Sequence, residues 1–519
     1  MSYNHKRYQI LCLLLLSLLS ANALIAQEVN SLSSLDKLKG EQLSAMHNNA
    51  AGMALENAQK YTVVGLSGAL QKGDYHRAME ARELYDLSAM AEGAVQLNGY
   101  HLWGRFQYDR EIAKEVGYNA SLIRPYRDLP YFVADENHSD WRNQRYQLEF
   151  KAGTPVYHRL LSLGLAAGYS AEQGAKQRDV RSHNNAMSLY LQPSLLLFFN
   201  KETQLSLLLK YASYKEESRM RNINIYVEQP YYEMFGMGGA TARIGSGRVT
   251  NYIRNSVGGE LQYNIDTDWR TMFYLGFESS VEDAEISFTV PQRTGSLLAD
   301  ASFVGFTLQS KESPSQHTLS LRYDVSKQKG IQYIVKYDNT EAFKGYIELS
   351  RSGRYLKHQN HLEASYQWSW NRKHPYEWLL GLSGAVTQTS EQYILPHSEY
   401  GYSMASIMGE VRKVFVFDRP STPTLDLSLT GGRLWAFDSN IELNQQYVNS
   451  FVAEHITLPD YHYMVADQWK GALSVSYAQK PVSSSRAMLY LKARLGYTHP
   501  LNSSLGHRTS ALCSLGCFF

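Results

Sequence analysis

The chain ends Arg508-Thr509-Ser510-Ala511-Leu512-Cys513-Ser514-Leu515-Gly516-Cys517-Phe518-Phe519. Counting back in twos from the last residue gives Phe519, Cys517, Leu515, Cys513 and Ala511, all apolar. The other parity gives Phe518, Gly516, Ser514, Leu512 and Ser510, which is smaller and more polar. Side chains alternate across a strand, so this stretch reads as one strand with an oily face and a mixed face. It stops on an aromatic residue. Chain ends fray unless they are tied down, so a terminal strand needs a partner. A closed barrel provides one, because its last strand pairs with its first.

The other end indicates where such a barrel would sit. Lys6 and Arg7 form a basic start, and Ile10 to Leu19 is an apolar run. That run is too short for a spanning helix, which needs about twenty residues. Small residues follow, Ala21-Asn22-Ala23 and then Ala26-Gln27. This is the pattern of a secretory leader, with cleavage after Ala26 or after Ala23. Cys12 lies inside the apolar core, which argues against a lipoprotein.

Composition narrows the class. The chain has 519 residues, with 38 Tyr and 36 Gly against 14 Pro, and shows no Pro- or Ser-rich linker. Its net charge of +2 gives no general case for nucleic-acid binding. Mean hydropathy is −0.38, and no apolar run near twenty residues follows the leader, which excludes a bundle of spanning helices. A β-barrel needs only every second residue to be apolar. Cys513 and Cys517 lie four apart on one strand, about 13 Å at strand rise, too far for a disulfide. They are expected as free thiols on the oily face.

Residues 27–60 differ from the rest. Leu32, Leu35, Leu38, Leu43, Met46, Met53 and Leu55 recur at roughly helical spacing. We expect one or two short helices there, either outside the barrel or folded into its lumen as a plug. From Tyr61 onward the texture is strand, polar tip, strand, as in Tyr100-His101-Leu102-Trp103-Gly104-Arg105-Phe106 and Leu489-Tyr490-Leu491-Lys492-Ala493-Arg494-Leu495. A propeller would want a repeated blade motif, and none is seen.

The connectors fall into two kinds. Short turns lie near Asn98-Gly99, Gly153-Thr154-Pro155, Asn200-Lys201, Asp266-Thr267-Asp268 and Ser313-Pro314-Ser315. Further ones lie near Asn371–Pro375, Asp418–Ser421 and Lys480-Pro481. Longer polar or irregular stretches come between them, at Glu111–Trp141, Glu216–Gly247, Gly353–Asn360 and Asn440–Asp460. Short turns on one side and long loops on the other is how such barrels are built. Eight short turns imply nine outward hairpins. The expected fold is all-β, a transmembrane antiparallel up-and-down barrel of about eighteen strands, with fourteen to eighteen acceptable. A short N-terminal helical segment precedes it, giving a leader at 1–26, a helical segment at 27–60 and a barrel at 61–519.

A barrel of that size is too wide for side chains alone to fill. Charges inside strands therefore belong in the lumen, since a charge on the lipid face costs a few kcal/mol. Arg105, Glu149, Arg254, Glu260, Arg322 and Glu363 are expected to line it, either stiffening the wall or setting the selectivity of a pore. The loop carrying Tyr231, Tyr232, Phe235, Gly236, Gly238 and Gly239 is the best candidate to fold inward. Tyr252, Trp269, Trp368, Trp370, Tyr376, Trp378, Trp435 and Trp469 suit interfacial girdles.

We find no catalytic, cofactor or metal set. The glycine-rich stretches lack the Gly-Lys-Ser/Thr ending of a phosphate loop. His358 and His361 would lie on opposite faces of a strand. His455, Asp460 and His462 could meet in a folded loop. Asp135, Glu136, His138 and Asp140 read as a solvated acidic loop tip.

Leader, N-terminal segment, alternating strands and aromatic end together resemble Gram-negative outer-membrane β-barrel proteins over the whole exported chain. They are most similar to a group of about 500 residues, of no assigned role, often encoded near TonB-dependent receptors. In that class the final aromatic, here Phe519, is read by the barrel-assembly machinery. Asn48-Asn49-Ala50-Ala51-Gly52-Met53-Ala54 resembles the N-P-A-G-(L/M)-A stretch of long-chain fatty-acid-transporter-like barrels, with Ala50 in place of proline. The chain is too short for a 22-strand receptor with a large plug. The resemblance implies an outer-membrane location in lipid and a porin-like or accessory role in small-solute uptake. The alternatives are a docking barrel binding a TonB-dependent receptor or surface lipoprotein, or an outer-membrane enzyme.

Overall fold

The computed structural model describes residues 31–519 apart from 57–59, 225, 246, 288, 312–314, 341–343, 371–375, 420, 483–484 and 486. The leader at 1–26 lies outside the described residues, as do 313–314 and 371–375 of two expected turns. Numbered along the chain, the strands begin with β1 (Tyr61–Gly73), β2 (Glu83–Leu97), β3 (Tyr100–Val116), β4 (Val133–Asp135), β5 (Ser139–Gly153), β6 (Leu161–Lys176) and β7 (Arg181–Phe198). They continue with β8 (Thr203–Arg221), β9 (Pro230–Gly236), β10 (Gly239–Ile244), β11 (Gly247–Asp266), β12 (Trp269–Ile286), β13 (Gln292–Ser310) and β14 (Ser315–Asn339). The last are β15 (Lys344–Trp370), β16 (Trp378–Tyr393), β17 (Ser398–Val416), β18 (Thr424–Glu442), β19 (Gln468–Gln479), β20 (Met488–Pro500) and β21 (Arg508–Phe518).

Eighteen of these form one closed antiparallel ring, and β4, β9 and β10 form a separate three-stranded sheet. The ring closes where β21 meets β1, from Val63 opposite Phe518 to Gly73 opposite Arg508. One residue further, the Thr62 N–H donates to the Phe519 carbonyl at 2.7 Å and the Phe519 N–H to the Thr62 carbonyl at 3.0 Å. The alternation seen in the sequence sorts the two faces. Leu515 is 54% exposed on the outer wall, while Phe518 is fully buried inside. Cys513 and Cys517 are free thiols on the outward parity.

The eight short connections lie on the rim where β1 starts and β21 ends. Between β2 and β3 the turn is Asn98-Gly99, with φ of 51° and 84°. A two-residue hairpin whose twist matches its strands needs positive φ at both positions, which Asn and Gly tolerate. The long connections all rise from the opposite, far rim.

Two expectations are corrected here. Gly353–Asn360 is not a loop but part of β15. Strands β14 and β15 have 25 and 27 residues and outrun their neighbours, because β13 pairs with β14 only as far as Gln332 and β16 with β15 only as far as Tyr355. Bulges at Gly330/Ile331 and Ile334/Val335 break the two-residue period, which hides the strand in the sequence. Tyr252 and Tyr376 do not sit in an outer girdle. Both are buried. Val257, Leu261 and Tyr263 are the exposed parity of β11, so Tyr252 points inward. Trp269, Trp378 and Trp469 are exposed on the outside near strand ends.

Candidate functional site: the lumen and its two closures

The rim where β1 starts and β21 ends is closed by residues 31–56. Helix α1 (Leu32–Glu41) starts at Ser31, whose Oγ accepts from the Ser34 N–H at 3.0 Å. That cap satisfies one of the orphan donors of the first turn. Leu35 and Leu38 lie on one helical face and share a buried cluster with Val63, Met488 and Phe518. A short helix α2 (Leu43–Met46) follows, and Leu43 packs on Met272 and Tyr274.

The chain then turns onto the wall. Asn48 takes a positive φ of 56°. The Asn49 amide donates to Gln262 Oε1 at 2.7 Å, and its carbonyl accepts the Gly52 N–H at 2.9 Å. The Ala51 N–H donates to Ser194 Oγ at 2.9 Å. Gly153 and Gly164 make this possible, since a Cβ on either would strike the Ala50–Ala51 backbone.

Ionic contacts tie the same segment around the ring. Lys39 pairs with Glu92 at 2.7 Å, Asp36 with Arg412 at 3.0 Å, and His47 with Glu260 at 2.9 Å. The Ser33 N–H donates to Asp426 at 3.3 Å. These partners lie on β2, β17, β11 and β18. The segment therefore braces the lumen from several sides.

The far side is closed by loops. The 117–138 connection crosses the lumen. Arg124 pairs with Glu111 at 3.1 Å and Glu172 at 2.8 Å, Arg127 pairs with Glu282, and Asp128 meets Lys357 at 2.7 Å. Its β4 joins the β9–β10 hairpin as the small inner sheet. Helix α3 (Leu458–Met464), from the β18–β19 connection, locks on top. Asp460 accepts from the Ala78 N–H at 2.8 Å, the Tyr126 hydroxyl at 2.9 Å and Arg77 Nη2 at 3.2 Å. One carboxylate thus joins three connections. Burial raises the Asp460 carboxyl above its usual range, against the pull of Arg77. Burial does the same to Asp135.

The expected lining residues occupy the following places. Arg105 and Glu149 stand opposite each other on the inward parity of β3 and β5, and Arg105 donates to Gln107. Arg254 lies 3.8 Å from Glu278, and Arg322 holds Asp324 at 2.7 Å. Glu363 faces Arg322 across β14–β15 and is exposed to open space. Glu260 is buried between His47, Lys210 at 2.7 Å and Gln262 at 2.8 Å, where it anchors the terminal segment.

The expected inward loop is the β9–β10 hairpin. Tyr231 is buried beside Val133 and Met220, and Tyr232 stacks on Phe451 with ring centres 5.2 Å apart. Phe235 packs on Tyr393 at 5.5 Å. Gly236 and Gly238 have φ of 96° and 75°, and a Cβ on Gly239 would clash with Phe235.

The acidic loop tip is corrected at Asp135, while Glu136, His138 and Asp140 are exposed as expected. Asp135 is fully buried and paired with Lys176. Its partner lies 41 residues away and cannot be read locally. His358 and His361 lie on opposite faces, and His361 Nδ1 meets Thr387 Oγ1 at 2.8 Å. His455 stacks on Phe451 while Asp460 serves Ala78, Tyr126 and Arg77, so that trio forms no common site. Among the described residues no three His, Cys, Asp or Glu side chains are placed to hold one metal ion. The sequence reading missed Arg124, Arg127, Asp128, His47 and Asn49, whose partners are 13 to 229 residues distant.

The sequence profile of one protein family matches residues 50–519. The chain belongs to the family of unknown function DUF6850. The DUF6850 match begins at the turn docked on Gly153 and Gly164 and takes in every wall strand. The resemblance of Asn48–Ala54 to fatty-acid-transporter-like barrels is not supported by this match. No protein of curated function matches the sequence. Solved structures similar to the chain include the ferric preacinetobactin receptor BauA from Acinetobacter baumannii, at 9% identity and a TM-score of 0.40, over 89% of this chain and 81% of that one. The ferric-catecholate import receptor Fiu from E. coli K12, in its open form, gives 9% and 0.37, over 88% and 81%. The copper transporter OprC gives 9% and 0.37, over 87% and 82%.

Proposed function

We propose that this chain is an outer-membrane barrel that passes or captures a small solute, with a lumen closed at rest from both ends. The observation that carries the reading is the sorting of faces. Large apolar side chains such as Leu66, Leu275, Leu429 and Leu495 are exposed around the outer wall of a ring without edges. Such a surface suits lipid. Charged groups on the inward parity include Glu363 and Arg494, which meet open space, while the outward rows carry few, such as Asp300 and Lys327 opposite each other. In this reading residues 1–26 are an export leader, 27–60 are the stopper and 61–519 are the barrel. Phe519 is the assembly signal. Arg105, Glu149, Arg254, Arg322 and Glu363 set what can pass, and Glu260 holds the stopper.

Planar-bilayer recording tests this. The full chain should be silent or flicker, and a form that lacks residues 27–60 and carries Asp460→Ala, which loosens the far closure as well, should show steady conductance steps. A deletion form that inserts yet never conducts would count against a transport role.

A second reading has its own support. Beyond Gln332 and Tyr355 the β14–β15 ribbon stands free of its neighbours and exposes Ile334, Tyr337, Ile347 and Leu349. Exposed edges and apolar tips are used for docking. A docking barrel serving a TonB-dependent receptor or surface lipoprotein would be cross-linked to that partner through the ribbon, and would not conduct in either form.

A further inference from the structure

Neither closure fills the crevice between the β9–β10 hairpin and the wall of β13 to β15. It has a volume of about 300 Å³, the lower end of small-ligand sites. On the lid side it is lined by Tyr131, Phe132 and Phe235. The wall side presents Gln332, Tyr333, Ser350, Ser352 and Arg354. Three threonines, Thr241, Thr250 and Thr294, complete it beside the Glu233–Arg248 ion pair.

The charge count decides the sign of a ligand. Among the lining residues Glu233 is matched by Arg248, and it also holds Arg243 at 3.2 Å from outside the lining, which leaves Arg354 as the lining cation with no carboxylate partner. Arg354 Nε donates to Ser352 Oγ at 3.0 Å, and Nη1 donates to the Leu395 carbonyl at 2.8 Å. Among the described residues no carboxylate lies within ion-pair reach of it. The Tyr393 side chain is a third partner. A guanidinium has five N–H donors in a flat fork, more than these three contacts use, and its natural partner is a planar carboxylate. A phosphate would want more than one unmatched cation, and an apolar solute would leave Arg354 and the hydroxyls unpaired.

The rest of the lining sets the body of the ligand. Aromatic rings on one side and hydroxyl and amide groups on the other suit a ring with C–H faces and a polar rim. We propose that this crevice binds a small polyhydroxylated carboxylate, a sugar acid in size and chemistry, with Arg354 holding the carboxylate. The proposal deepens the reading of the barrel as a solute-handling protein and rests on it only for what happens after binding.

Titration calorimetry on the full chain in detergent tests it, with glucuronate, glucose and acetate as probes. Glucuronate should bind, and glucose and acetate should each bind about tenfold more weakly or worse. Arg354→Gln should weaken glucuronate by about tenfold and leave glucose unchanged, whereas Arg354→Lys should retain part of the affinity. Arg351→Gln, on the exposed ribbon, should change nothing. Heat-modifiable gel migration verifies that each variant is a folded barrel. The proposal is overturned if none of the probes gives heat, if glucose binds as tightly as glucuronate, or if folded Arg354→Gln binds like the parent. Binding without conductance would sink the transport reading and leave this site standing. Conductance without binding would do the reverse.

Discussion

Gly164 shows what one missing side chain permits. A Cβ there would strike the Ala50–Ala51 backbone, so the stopper can lie flat on the wall only because this residue is glycine. Gly164→Val should dislodge the docked turn while leaving the strand ladders intact. Bilayer recording of Gly164→Val combined with Asp460→Ala, which loosens the far closure, should then show open-channel steps without any deletion. A double variant as silent as Asp460→Ala alone would refute the docking role of this contact. Asp460 is the counterpart on the far side. Asp460→Ala leaves Arg77 and the Tyr126 hydroxyl without their acceptor, and breaking a buried pair from one side costs about 3–5 kcal/mol. Limited proteolysis should cut the 117–138 connection sooner in this variant, with the strands still protected. Neither residue announces its role in the sequence. Gly164 is one of 36 glycines, and Asp460 reaches Ala78 across 382 positions. Residue pattern is local, and these contacts are not.

At the scale of the element, the strands were legible because their two signals are local. Alternation gives the faces and paired turn residues give the ends, so Asn98-Gly99 and Asp266-Thr267-Asp268 mark real reversals. The reading failed where a strand loses its period, as in β15 with its bulges, and where parity needs an outside reference, as at Tyr252. It also could not say that the segment 31–56 lies inside, since an amphipathic helix packs equally well on any oily surface. The terminal strand supplies its own experiment. Removing Phe519 takes away two backbone bonds to Thr62 and the end of the outward row. Folded barrel in the outer membrane should fall severalfold, while the heat stability of the barrels that do assemble should change little. Normal accumulation of the truncated chain would contradict the assembly role.

For the whole molecule the outer wall makes the plainest demand. A cation placed mid-wall, as in Leu275→Lys, should cost about 2–4 kcal/mol of unfolding free energy in vesicles. A lumen-side exchange such as Glu363→Gln should cost much less. Equal costs would mean that the wall does not face lipid. The strand count, the two rims and the inside-outside sorting could all be anticipated from residues. The filling of the lumen could not, because polar groups that pair across a cavity look like polar groups in water until the ring closes. That closure has a mechanical consequence. A ring made from one chain is a bracelet, and its joint lies where β1 meets β21. Leu35 and Leu38 share one buried cluster with Val63 on one side of that joint and Phe518 on the other. The stopper is therefore also the clasp. Pulling it out should open this rim and loosen the hoop in the same stroke, so opening the lumen from this side comes at some risk to the ring's own closure.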